Sequence, residues 1–266
     1  MAEARKAEEV VSVVDAGALR IKLNRPNAMN ALTPGIVFKI TELLRTNVSN
    51  SAVKAVVLTG AGGAFCAGAD LKVVRGRAAE NANTLSDFLA SVSSMMAALE
   101  AFPCPVIAAV NGIAVAGGLE LVLCCDLVVA ARSAKFGDAH ANYGLLPGGG
   151  ASVRLPRKIG VTRAKYLFYT GDFLPAADLL ATGLVNEVVE DTELAAATDR
   201  IVAKLAKKSP LGLRRMKTLV DDGLEQPQSV ALRAELLASE VHSHSFDMKE
   251  GLAAFEEKRT PQFLGR

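Results

Sequence analysis

The stretch VIAAVNGIAVAGGLELVLCCDLVVAA, Val106 to Ala131, decides the fold class. Val106 to Val110 is a short apolar run closed by Asn111-Gly112, which reads as a buried strand ending in a turn. Ile113-Ala114-Val115 leads into Ala116-Gly117-Gly118, and Leu119 to Asp126 then reads as a short buried helix followed by the strand Leu127 to Ala131. Strand, turn, helix and strand in succession are the pattern of a layered α/β fold. Working outward, Val10 to Asn24 alternates apolar and polar residues around Asp15-Ala16-Gly17, a hairpin pattern. Thr33 as N-cap, Pro34 at the first helical position and the stripe Ile36, Val37, Ile40, Leu43, Leu44 predict the next helix. Val53 to Thr59 is a β-branched strand that runs into TGAGGAFCAGAD. After Val189 no further core strand is expected. Ile201, Val202 and Leu205, then Leu232, Leu236 and Leu237, then Leu252 and Phe255 place apolar stripes on charged segments, the mark of amphipathic helices. The expected organisation is a core over residues 1–195 and a helical C-terminal region over 196–266.

Composition narrows the function. With 30 Lys+Arg against 28 Asp+Glu the chain is nearly neutral, and no basic block with interleaved aromatics exists to follow a phosphate backbone, so no nucleic-acid partner is expected. The apolar region Pro105 to Ala131 is broken by Asn111, Glu120 and Asp126, so no membrane span is expected either. The N-terminal MAEARKAEEV lacks the apolar core of a secretory signal, which together with four unpaired-looking cysteines (Cys66, Cys104, Cys124, Cys125) points to the cytoplasm. Those cysteines lack zinc-site spacing and read as small buried hydrophobes. His242 and His244, two apart on a helix, do not share a face, and no metal is expected.

Two turns carry the chemistry. In FCAGADL, Phe65 to Leu71, small residues at the junction of a strand and a helix let backbone N–H groups approach a ligand, with Asp70 as a candidate helix cap. Gly60-Ala61-Gly62 resembles the start of a dinucleotide fingerprint, but its third glycine is missing and no Walker-type lysine follows, which makes a nicotinamide-dependent dehydrogenase a poor reading. In the second turn Gly117 can present an N–H at a helix start, and Glu120 follows within one helical turn. Flanked by Leu119, Leu121, Val122 and Leu123, its carboxylate sits where the charged form is disfavoured, a setting for acid/base work; a first-turn Glu that offsets the helix dipole is the plainer alternative.

Together with LNRPNAMNAL (Leu23 to Leu32), FGDAHANYGLLPGGGASVRLPRKIG (Phe136 to Gly160) and EGLAAFEEKR (Glu250 to Arg259), these segments resemble the enoyl-CoA hydratase/isomerase family, the crotonases, over nearly the whole chain. The resemblance implies an α/β, crotonase-like ββα superhelical core with a C-terminal helical trimerisation region, assembled as a homotrimer or a dimer of trimers. It implies an acyl-CoA substrate and no separate cofactor, since CoA is part of the substrate. The backbone N–H groups of Ala67 and Gly117 are expected to form an oxyanion hole for the thioester oxygen. Ala28, Ala67, Gly68, Ala69 and Asp70 are expected to line CoA, and Phe255 and Lys258 to reach it, Lys258 at phosphate.

One position departs from the family pattern. Hydratases of this kind use two glutamates; Glu120 matches the one that handles water, but the second, which exchanges a proton at the α carbon, falls on His140. Imidazole can take that role near neutral pH, with Asp138 able to orient it. The leading expectation is an enoyl-CoA hydratase. The alternatives are another reaction through the same enolate, namely isomerisation, C–C hydrolysis or decarboxylation, and a catalytically weak acyl-CoA binding protein. Tyr143, Arg154 and Arg157 lie near the His140 loop without a local signal of function.

Overall fold

The computed structural model describes residues 8–80 and 82–266. The charged residues 1–7, on which the expectation about a secretory signal partly rests, lie outside the described residues. The hairpin comes first: β1 (Val10–Asp15) pairs antiparallel with β2 (Ala18–Leu23) across a turn in which Ala16 and Gly17 both have positive φ. Thr33 caps α1 (Pro34–Asn47) as expected, its Oγ1 accepting from Ile36 N–H at 3.2 Å. β3 (Ala55–Gly60) then pairs parallel with β2.

From β3 onward the chain repeats one manoeuvre. β3, β5 (Val106–Val110) and β7 (Leu127–Ala131) lie side by side in a six-stranded sheet of order β1-β2-β3-β5-β7-β10, with β10 (Glu187–Val189) at its far edge. Each is followed by a short strand in a second sheet: β4 (Ala64–Cys66), β6 (Ile113–Val115) and β8 (Lys135–Gly137), closed by β9 (Leu174–Pro175). Helices follow each pair: α2 (Leu71–Glu80) and α3 (Ala82–Glu100) after β4, α4 (Gly117–Leu123) after β6, α5 (Ala151–Ile159) and α6 (Val161–Thr170) after β8, with α7 (Ala176–Leu180) after β9. These are the expected ββα turns. The central strands are buried on both faces, hence the unbroken apolar runs VIAAV and AVVL.

The glycines after β3 serve the crossing between the sheets. Asn111 Oδ1 accepts from Gly60 N–H at 3.0 Å, and Asn111 Nδ2 donates to Gly62 O at 2.8 Å, so one side chain ties successive corners together. A Cβ at Gly112 would land on the Gly63 carbonyl oxygen, far inside contact distance. Gly60-Ala61-Gly62 is therefore a strand corner with its backbone groups in use.

The expected boundary at 195/196 falls inside a core helix. α8 (Leu194–Leu205) lies against β3, β5 and β7 and buries Leu194, Ala197, Thr198 and Val202. The helices that leave the sheet are α9 (Pro210–Gly223), α10 (Gln228–Ser243) and α11 (Phe246–Glu256). Their stripes expose Leu232, Leu236, Leu237, Val241 and Phe255. Among the described residues no helix is long and apolar enough to cross a membrane.

Because the Gly112 corner has no room for a methyl group, Gly112→Ala is expected to destabilise the fold by about 1–3 kcal/mol or more. Urea unfolding followed by circular dichroism should show a lower midpoint at an unchanged slope.

Candidate active site

The first turn hangs on the segment before α1. Met29 and Asn30 take left-handed backbone conformations, and the buried Asn30 side chain donates to Ala61 O at 2.9 Å and Ala64 O at 2.7 Å. Arg25 reaches across with Nη1 to Ala31 O at 2.7 Å and Nη2 to Asp70 Oδ2 at 3.0 Å. Asp70 Oδ1 also accepts from Lys72 N–H at 3.0 Å, so this residue holds the entry of α2. Burial raises its pKa, but the Arg25 hydrogen bond and charge with the backbone donors outweigh that and leave it below the ordinary carboxylate range. Ala28, half-buried, sits in the one-turn helix Pro26–Ala28 beneath the same segment.

Along the turn itself the backbone donors divide. Ala67 N–H donates to Met29 O at 3.0 Å and Asp70 N–H to Leu32 O at 2.9 Å, while Leu32 N–H donates to Gly68 O at 2.7 Å. Ala67 is thus not available as the expected oxyanion donor, because its N–H is already committed to the chain. The Gly68 and Ala69 N–H groups have no acceptor among the described residues. The trans peptide that joins Gly68 to Ala69 turns its carbonyl to Leu32, so its N–H, that of Ala69, points away from that segment.

The second turn faces it. Ala116 holds φ 50° and ψ −121°, a region nearly reserved for glycine that costs on the order of 1–3 kcal/mol and is tolerated where surroundings enforce it. It starts α4, so the Gly117 N–H has no partner within the helix and none elsewhere among the described residues. A Cβ on Gly117 would stand 3.2 Å from Gly68 Cα and 3.4 Å from Ala69 N. Gly68, with φ +91°, admits no side chain there: its Cβ would be 2.8 Å from that of Ala116 and 3.0 Å from Gly117 N. Two unpartnered N–H groups, on Ala69 and Gly117, therefore lie on facing turns.

Glu120 lies one turn along α4, buried to 3% exposure. Its surroundings are less apolar than its sequence neighbours suggest, because Oε1 accepts from Gly149 N–H at 2.8 Å and Ala151 N–H at 3.0 Å. No donor among the described residues reaches Oε2. Since no unpartnered side-chain oxygen of this kind is fully buried among the described residues, Oε2 keeps some solvent exposure.

His140 begins the one-turn helix His140–Tyr143 after a kink at Ala139, φ 58°. Its Nδ1 lies 3.0 Å from Oδ1 of the buried Asp138, and its backbone N–H donates to Asp138 Oδ2 at 3.3 Å. A carboxylate only accepts, so the ring proton sits on Nδ1 and Nε2 is the free nitrogen. Burial of the ring lowers its pKa. The Asp138 hydrogen bond and charge, with the added attraction of Glu120, override burial and hold it above the ordinary 6.5.

The remaining candidates fall elsewhere. Phe255, 86% exposed, and Lys258, in a left-handed backbone conformation, lie at the end of α11, and no hydrogen bond or ion pair among the described residues ties them to the Ala67–Asp70 turn. Tyr143 is exposed and Arg157 pairs with Glu225 at the surface, 3.3 Å apart. His242 Nδ1 lies 2.8 Å from Arg215 Nη1. Burial pushes the Cys66 and Cys124 thiols up to about 12, and Cys125 further up, so all three stay protonated at neutral pH and are poor nucleophiles.

The sequence profile of the family described as Enoyl-CoA hydratase/isomerase matches residues 14–266. The chain belongs to the enoyl-CoA hydratase/isomerase family. It is 37% identical over 245 residues to a Crotonyl-CoA hydratase of Syntrophomonas wolfei, covering 92% of this chain and 93% of that protein. It is 35% identical to the 2,3-dehydroadipyl-CoA hydratase of Escherichia coli over 93% of this chain and 95% of that one. Among solved structures, an enoyl-CoA hydratase from Bacillus anthracis superposes with a TM-score of 0.92 at 37% identity, covering 97% of this chain and all of that one. These likenesses extend through the C-terminal helices, so the crotonase fold holds for the whole described chain.

In this family member the His140–Asp138 pair is open to direct measurement. An NMR titration of the His140 ring should give a pKa above 6.5, and Asp138→Asn should lower it, since the substitution removes both the charge and the better acceptor.

Proposed function

We propose that this protein hydrates a 2-enoyl-CoA thioester. The observation that carries the reading is the convergence of two free backbone donors, Ala69 N–H and Gly117 N–H, with a carboxylate held by one oxygen and open at the other. Water bound at Glu120 Oε2 gives up a proton as its oxygen attacks Cβ. The electron pair moves through Cα onto the thioester oxygen, where the two fixed N–H groups stabilise the enolate charge by about 2.7–4 kcal/mol per donor. Imidazolium at His140, favoured by Asp138, returns a proton to Cα, which completes addition across the double bond. The raised pKa suits an acid: the ring remains protonated to higher pH than a free histidine. Curated relatives named as hydratases support the same chemistry.

CoA binding along Ala28 and the Gly68–Asp70 turn belongs to this reading, with Phe255 and Lys258 reaching CoA from the end of α11, and CoA itself is part of the substrate. So does assembly as a homotrimer, or a dimer of trimers, through the exposed apolar stripes of α9–α11, because a lone subunit seldom leaves such a surface to water. The four free cysteines fit a reducing, cytoplasmic setting.

Loss of the conjugated enoyl-thioester absorbance, with heavy oxygen from labelled water retained in the acyl chain, is the expected result with a suitable short, medium or aromatic substrate. Glu120→Gln should lower kcat by about 10²–10⁴-fold while acyl-CoA still binds. No absorbance change with any chain would sink the hydratase reading, and bound but unconverted thioester would point to a binding protein. Release of label elsewhere, or a rearranged double bond, would point to another enolate reaction.

A further inference from the structure

Glu120 is held by the most pliable segment in the site. Its Oε1 takes N–H groups from Gly149 and Ala151, and those residues follow Gly148 and flank Gly150 in an unbroken run of three glycines. For both N–H groups to point at one oxygen, the peptide between them, Gly149 to Gly150, must turn its carbonyl the other way. That carbonyl accepts from Arg154 Nη1 at 2.7 Å. The guanidinium is in turn fixed by a two-point bond to Glu100, Nε to Oε1 at 2.5 Å and Nη2 to Oε2 at 2.5 Å. Glu100 is the last residue of α3, the helix whose buried Met96 also walls the loop: a Cβ at Gly149 would lie 2.5 Å from Met96 Sδ and 2.7 Å from Glu120 Oε2. A planar fork with donors on two edges fits this double duty, and a lysine does not reproduce it.

We propose that Arg154, locked by Glu100, is a positioning residue for Glu120: it sets the Gly149–Gly150 peptide so that the neighbouring amides aim the carboxylate and leave Oε2 toward the substrate. Arg154 touches no reacting atom and acts only through the loop. Its kinetic consequence rests on the hydration reading above; its structural consequence does not.

The test compares Arg154→Met, Arg154→Lys and Glu100→Gln with the parent chain in kcat, KM and amide exchange over residues 148–151. Arg154→Met is expected to lower kcat by about 10- to 100-fold with KM within about threefold, the pattern of a misplaced catalytic group. Arg154→Lys should recover part of the loss, since an ammonium still reaches Gly149 O, and Glu100→Gln should lose less than Arg154→Met. In a Glu120→Gln background the Arg154 substitution should cost almost nothing further, because its target is gone. A kcat within about twofold of the parent in both Arg154→Met and Glu100→Gln, or an undiminished loss in the Glu120→Gln background, would overturn the proposal. If the parent hydrates no substrate, the hydration reading fails by itself, and exchange decides: faster exchange confined to 148–151 supports the positioning role, and unchanged exchange refutes it. Should Arg154→Met not fold, Glu100→Gln carries both readouts.

Discussion

The site depends on two backbone turns meeting with no side chain between them. A Cβ on either Gly68 or Gly117 would press into the facing turn inside ordinary contact distance, and Ala116 holds a glycine-like conformation beside them. That contact sets Ala69 N–H beside Gly117 N–H. In the proposed reaction, donors fixed in place beforehand would cost no reorganisation when charge develops, the advantage of a rigid turn over a flexible side chain. The ββα repeat delivers the geometry: β4 and β6 are parallel neighbours in the second sheet, and each hands over to its turn at the same edge.

Around this contact, the polar groups are clamped rather than merely present. Arg25 and Asn30 tie the Leu23 to Leu32 segment to Asp70, Ala61 and Ala64 through three hydrogen bonds, and Arg25 also braces Ala31 O within the segment. Arg154 and Glu100 tie the glycine loop that holds Glu120. Asp138 orients His140. The first turn and Glu120 thus depend on partners from distant parts of the chain, whereas His140 is held by a neighbour two residues away.

Much of this was legible. Thr33-Pro34 at the head of α1, the hairpin at Asp15-Ala16-Gly17 and the apolar runs of β3, β5 and β7 obey local rules of capping, turn chemistry and burial, and the structure has each of them. Glu120 and His140 stood out because a lone acid in an apolar run and a histidine in place of a glutamate are anomalies of sequence. Ala67 misled for a physical reason: three successive small residues offer three N–H groups, and which of them are free and where they point depends on hydrogen bonds to Met29 and Leu32, some 36 to 38 residues away in the chain. The 195/196 position falls within α8, whose stripe reads in sequence as that of a surface helix while the sheet beneath it makes the stripe core.

By itself, then, the sequence determined the layered α/β core, the family, the two glycine turns and the candidate acid–base pair Glu120 and His140, since these follow from periodicity, residue chemistry and ordered motifs along one dimension. Tertiary structure alone decided which amides are free, which oxygen of Glu120 is left unbonded and which arginine braces the loop that holds it. Those are matters of direction, and the direction of a backbone N–H or a carboxylate is set by partners that come near only when the chain has folded.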